Sequence, residues 1–88
     1  MNYKASIIIP IYNEYNSLNN LCLKLKQSFK SCSIKYIFID DGSIDGSSKW
    51  LKENLKNKFN EENFELVTLN KNYGKGHAVR EGIKKIEG

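Results

Sequence analysis

A chain of 88 residues makes at most one domain, and a small one, since a domain of this size buries only about 60–65% of its unfolded surface and has a marginal core. The composition is that of an ordinary soluble globular protein with some excess of Lys, Asn and Ile. A net charge of +4 favours anionic partners such as phosphates, but no aromatic residues interleave a dense basic stripe, so nucleic acid is not among the expected partners.

The first strand is read over Ala5–Tyr12, where a near-continuous β-branched run suits a strand buried on both faces. Pro10 removes a ladder donor near its end, as suits a strand opening into a loop. It also halts the apolar run Ile7–Ile9, which is too short for a signal-peptide core or a membrane span, so a cytoplasmic location follows by default. After the loop Tyr12–Ser17, with Asn16 or Ser17 as cap, a helix is expected over about Ser17–Ser31. Its apolar face carries Leu18, Leu21, Cys22, Leu25 and Phe29. Cys22 reads as core and Cys32 as part of a polar connection. Neither has metal-ligand spacing, and both read as free thiols of a reducing compartment.

The second strand, Tyr36–Ile39, ends in the adjacent acids Asp40 and Asp41. A turn over Gly42–Gly46 offers Asp45 or Ser47 as cap to a second helix, which places Trp50, Leu51, Leu55 and Phe59 together. The polar stretch Asn57–Asn63 reads as a surface connection, and the third strand as Phe64–Leu69. The loop Asn70–Gly76 then opens a third helix with Val79, Ile83 and Ile86 at helical spacing. The order β-α-β-α-β-α implies an α/β fold with a parallel three-stranded sheet and right-handed crossovers. All three strand-to-helix loops therefore open on one edge, the carboxyl-terminal end of the strands, where open α/β sheets place their ligands.

The residues at that edge are unusual. Capping explains Asp45 or Ser43, but not two acids at the end of an apolar strand, which repel each other and call for a ligand such as ribose hydroxyls or a base N–H. Asp41–Gly46 matches the first half of a calcium loop, yet Lys52 stands where a bidentate Glu is required and a strand precedes it, so calcium is not expected. Asn72–Gly76 is not a phosphate-binding P-loop. Glycines and Lys75 before a helix N-terminus still suit an anion, with Arg80 one turn further on, although a flexible turn with solvated lysines explains this loop equally well by itself. The first loop lacks Gly-x-Gly-x-x-Gly, which argues against NAD or FAD. Tyr12 offers a flat face and Glu14 a further acid. His77 has no Cys or second His beside it, so a metal role is not expected. Together the edge suits a nucleoside diphosphate.

Three ordered blocks carry a resemblance: Ser6-Ile-Ile-Ile-Pro-Ile-Tyr-Asn-Glu14, Ile39-Asp-Asp-Gly-Ser-Ile-Asp-Gly46 and Asn70-Lys-Asn-Tyr-Gly-Lys-Gly-His-Ala-Val-Arg80. The chain resembles the N-terminal, Rossmann-like, nucleotide-binding half of family-2 glycosyltransferases of GT-A fold, most of all the polyprenyl- or dolichyl-phosphate sugar synthases. The resemblance implies a UDP- or GDP-sugar donor and, for the synthases, a polyprenyl phosphate acceptor and membrane association of the complete protein. It places Pro10, Tyr12 and Glu14 beside the nucleobase, Asp40 or Asp41 on base or ribose, and Gly74, Lys75, Gly76 and Arg80 near the nucleotide. The family's Asp-x-Asp strand, which holds Mg²⁺ or Mn²⁺, would begin where this chain stops at Gly88. The expectation is therefore one partial domain over residues 1–88, with no catalytic residue and no metal ligand of its own, inactive alone. The family's strand order 3-2-1-4 would leave strand one as an open edge prone to self-association. Two other readings stand beside the enzyme. One is a non-catalytic module of the same fold that binds nucleotide or protein. The other is a nucleotidyltransferase, which would place a glycine-rich basic loop directly after strand one, where this chain has Tyr12-Asn-Glu14.

Overall fold

In the computed structural model, Tyr3 and residues 5–87 are described; the expectation attached to Gly88 lies outside them. The elements are β1 (Ala5–Ile11), α1 (Leu18–Ser28), β2 (Ile34–Asp40), α2 (Ser47–Lys58), β3 (Phe64–Thr68) and α3 (Lys75–Glu87), with 3-10 turns at Tyr15–Ser17 and Glu61–Asn63. The three strands form one parallel sheet in the order β1-β2-β3. This is the expected α/β architecture. Helix α1 starts one residue later and ends three residues earlier than expected, and Ile34 and Lys35 join β2.

The period-2 alternation of β2 sorts the core into two layers. Tyr36 and Phe38 face α1 and α2, where Ile9, Ile11, Leu18, Cys22, Leu51, Leu55 and Phe59 complete the larger cluster. Ile37 and Ile39 face the other way and meet Ala78 of α3, with Ile8, Val67 and Leu69 around them. Burial on both faces belongs to β2; β1, whose β-branched run suggested the same, stands at the edge that the order 3-2-1-4 leaves open. Among the described residues β1 pairs with β2 alone, its first residues are exposed, and only Ile9 and Ile11 are buried.

α3 also differs from expectation. Its buried residues are Ala78 and Gly82, while Ile83 and Ile86 are 42% and 47% exposed. The reason is close approach. A Cβ on Gly82 would lie 2.5 Å from Cγ2 of Ile8. Small residues at i and i+4 let the helix backbone settle against β1 and β2, which turns Ile83 and Ile86 away from the sheet.

Helices α1 and α2 cover one face while the chain steps from β1 to β3, and α3 then crosses to the opposite face beneath β1 and β2. The loops after β1 and β3 therefore part at the carboxyl-terminal end of β1. A crevice opens at such a reversal, and open α/β sheets bind their ligands there.

Candidate functional site

A cavity of about 340 Å³ lies at that reversal, lined by Pro10, Ile11, Tyr12, Glu14, Asp41, Asn72 and Lys75. The volume suits a small-molecule site. All three strand-to-helix loops contribute to it.

The second loop holds the other two in place. The first loop is tied to it by Asn13, which takes a left-handed conformation (φ 50°). The Asn13 N–H donates to Ser43 Oγ at 2.9 Å, and its Oδ1 accepts from the Ile44 N–H at 2.8 Å. The Glu14 N–H donates to Ser47 Oγ and the Tyr15 N–H to Asp45 Oδ2, each at 3.1 Å. Asp45 Oδ1 in turn accepts from both the hydroxyl and the N–H of Ser47, at 2.6 and 2.9 Å. The Ser47 hydroxyl is the main reason the Asp45 carboxyl is held below the usual aspartate range, with the N–H groups of Tyr15 and Ser47 adding to it. These bonds leave the side chains of Tyr12, 43% exposed, and Glu14 facing the cavity.

The third loop is tied to the second by Asp41. Its Oδ1 accepts from the Tyr73 N–H at 2.8 Å, and its Oδ2 accepts from the Gly74 N–H and from Asn72 Nδ2, each at 3.0 Å. Tyr73 and Gly74 stand immediately before α3, so the carboxylate lies at the positive end of that helix. The amides of Lys75, Gly76 and His77 open the helix and have no carbonyl within it to bond. Close contact of the two loops also explains Gly42, whose φ is +70°. A Cβ there would approach Asn72 N to 2.5 Å and the Lys71 carbonyl carbon more closely still. The loop is braced further by Tyr73, which stacks on His77 at 4.5 Å between centroids and has Lys71 Nζ 5.1 Å from its ring centroid.

The two adjacent acids have different surroundings. Asp40 is fully buried and does not line the cavity. One of its oxygens accepts from the Ser43 N–H at 3.1 Å and the other from the Ser48 hydroxyl. Asp41 is 3% exposed and does line the cavity. Three of the roughly four acceptor positions of its carboxylate are filled, and one is left.

Of the residues singled out in the sequence, the cavity thus brings together Pro10, Tyr12, Glu14, Asp41 and Lys75. Gly74 stands behind it, on Asp41. Gly76 and Arg80 lie along α3, and a Cβ on Gly76 would sit 3.8 Å from Arg80 Nη1. Ile11 and Asn72 complete the lining. Asn72 carried a signal, since it sits in the third-loop motif, but its partner is 31 residues away in sequence.

Asp40 and Asp41 keep little acceptor capacity for a divalent cation. The oxygens of Asp40 and most of Asp41 are spent on N–H and O–H donors. Among the described residues no three of His, Cys, Asp or Glu are grouped so as to hold a metal ion. No described helix is long and apolar enough to cross a membrane.

Residues 6–88 match the family described as glycosyl transferase family 2. The chain belongs to glycosyl transferase family 2. Within this glycosyltransferase family it is similar to the undecaprenyl-phosphate 4-deoxy-4-formamido-L-arabinose transferase of Proteus mirabilis (strain HI4320). The two are 36% identical over 90 residues, covering 97% of this chain and 26% of that protein. The chain thus spans about a quarter of the length of the curated relative it matches. The match includes all three glycosyltransferase loops described above, which lie between residues 12 and 74.

Proposed function

We propose that the cleft binds the nucleotide of a nucleoside-diphosphate sugar, and that these residues are the donor half of a family-2 glycosyltransferase. The observation that carries this reading is the convergence of an aromatic face, two carboxylates and a cationic helix start on one cavity: Tyr12, Glu14, Asp41 and Lys75. Each has a distinct task. The exposed ring of Tyr12 stacks on the base. Glu14, whose backbone is fixed by Ser47, accepts from a base N–H or a ribose hydroxyl. Asp41 uses its remaining acceptor position for a ribose hydroxyl while holding the third loop shut. The Lys75 ammonium and the first-turn amides of α3 meet the diphosphate, where the helix dipole favours negative charge. Asp40 supports the second-loop turn in this reading, and Arg80 adds long-range positive charge.

The relative's name specifies undecaprenyl phosphate. On that basis the acceptor of the complete protein is a polyprenyl phosphate, and the complete protein works at a membrane. These 88 residues alone transfer no sugar; transfer by the purified chain would overturn that part of the proposal.

Calorimetric titration with UDP, GDP and their nucleosides tests the donor reading. A diphosphate should bind at least about tenfold more tightly than its nucleoside, equivalent to about 1.4 kcal/mol. The difference should shrink with added salt, because exposed charges are screened. Equal binding of nucleoside and diphosphate would remove Lys75 and the start of α3 from the site.

A further inference from the structure

Asn72 lines the cleft with Asp41 and Lys75, and the direction of its amide is fixed by chemistry. Its Nδ2 donates to Asp41 Oδ2 at 3.0 Å and to the Asp41 carbonyl oxygen at 3.3 Å. A carboxylate and a carbonyl only accept, so the NH₂ end of the amide must face them and its oxygen end must face away. No described residue donates to Asn72 Oδ1. On Asp41, Oδ2 accepts from both Gly74 and Asn72, whereas Oδ1 accepts from the Tyr73 N–H alone. The open acceptor position of Asp41 is therefore on Oδ1.

Bracing of Asp41 explains the nitrogen end of Asn72 and leaves its oxygen end unused. The two open oxygens belong to side chains that are bonded to each other and line one cavity, so they form an acceptor pair of fixed spacing. In the free chain water meets both. A rigid ligand with two adjacent donors replaces two separate waters and releases their immobilisation entropy. The place of the pair selects those donors. Asp41 accepts from the N–H of Gly74, the neighbour of Lys75, so the pair stands beside the start of α3. With the diphosphate on Lys75 and the base on Tyr12 of the first loop, the part of the nucleotide between them is the ribose. Its 2′- and 3′-hydroxyls are two vicinal donors.

We propose that Asn72 is a specificity-determining residue that reads the ribose diol together with Asp41. Asn72 Oδ1 accepts from one hydroxyl and Asp41 Oδ1 from the other. The proposal rests on the reading of the cleft as a nucleotide site and narrows it: the donor is a ribonucleoside diphosphate sugar, and a 2′-deoxyribonucleoside diphosphate sugar is rejected. A site built to bond a substrate hydroxyl discriminates against the analogue that lacks it, because a site acceptor is then left unpaired.

Calorimetric titration with UDP and GDP, and with the 2′-deoxy and 3′-deoxy forms of whichever binds, tests the proposal. Loss of the hydroxyl held by Asp41 should weaken binding about tenfold or more, and loss of the hydroxyl held by the neutral Asn72 amide roughly three- to tenfold. Asn72→Ala, at an exposed position, should erase the preference over one deoxy form and keep the preference over the other. Removing a residue that only braced Asp41 would weaken all three ligands by one factor and leave both preferences intact. Equal binding of the ribonucleotide and either deoxy form by the parent chain overturns the proposal while leaving the nucleotide site in place, and that comparison needs no variant. Both preferences kept, or both lost, in Asn72→Ala overturns the role of Asn72. Binding of neither UDP nor GDP overturns the nucleotide reading itself and this proposal with it.

Discussion

Replacing Asp41 with Asn should release the third loop from the rest of the site. The carboxylate accepts three hydrogen bonds, from the N–H groups of Tyr73 and Gly74 and from Asn72 Nδ2, at 2.8 to 3.0 Å. Asparagine keeps the size but has one acceptor oxygen, and its NH₂ must then face a donor. Bonds to a charged acceptor are worth about 1.5–3 kcal/mol each. The freed groups lie at the surface and regain water, so the net cost is about 2–4 kcal/mol, including the lost charge at the start of α3. A domain of this size holds only about 4–13 kcal/mol in all. At about 4–8 °C per kcal/mol, the melting temperature should fall by roughly 10–25 °C. Thermal unfolding followed by circular dichroism measures that fall. Hydrogen exchange should lose protection at the Tyr73 and Gly74 amides more than in β2. A melting temperature within about 3 °C of the parent, or unchanged protection at those two amides, would refute the clasp.

Gly82→Ala in the parent should destabilise by about 1–2 kcal/mol, because overpacking against Ile8 outweighs the helix-propensity gain of about 1 kcal/mol. In an Ile8→Ala background the same change should become neutral or stabilising, and a double-mutant cycle in urea that finds no such coupling would contradict the close approach. Asp45→Asn should lower the melting temperature at neutral pH. The Asp45 pKa is depressed in the fold, so its contribution is complete above the ordinary aspartate value of about 3.9 and is lost as pH falls through the lower folded value. The gap between variant and parent should therefore narrow as pH falls below the ordinary aspartate value, and a gap independent of pH would point to packing instead. Among the described residues one side of β1 is unpaired, so sedimentation velocity should detect concentration-dependent association of the chain. A single monomeric species at high concentration would count against an adhesive edge.

The alternation of strands and helices was legible because each strand is a short β-rich run bounded by turn residues. The pairing of all three loops at one edge follows from that order alone. The buried face of α3 was not legible. Periodicity weights large apolar residues and so favours Ile83 and Ile86, whereas the contact with Ile8 is set by the smallness of Ala78 and Gly82. The partial exposure of β1 was hidden from its own residues for a similar reason, since a β-branched run marks a strand but not its place in the sheet. The acid pair was legible as a feature needing partners. The division of labour was not: the Asp40 bonds to the second-loop turn and to α2, and the Asp41 bonds to residues more than 30 positions away, are properties of the folded loops. Asn13 was hidden for the same reason, because its partners Ser43 and Ile44 belong to another loop.

The central claim is that three loops form one nucleotide site at the carboxyl-terminal end of β1. Amide shift mapping with UDP and with GDP tests it most directly. The account predicts that at least one of the two shifts Tyr12, Glu14 and Lys75 together, with one common dissociation constant, and leaves the far end of the sheet around Ile34 and Asn60 unmoved. No response to either nucleotide, or shifts confined to a single loop, would contradict it.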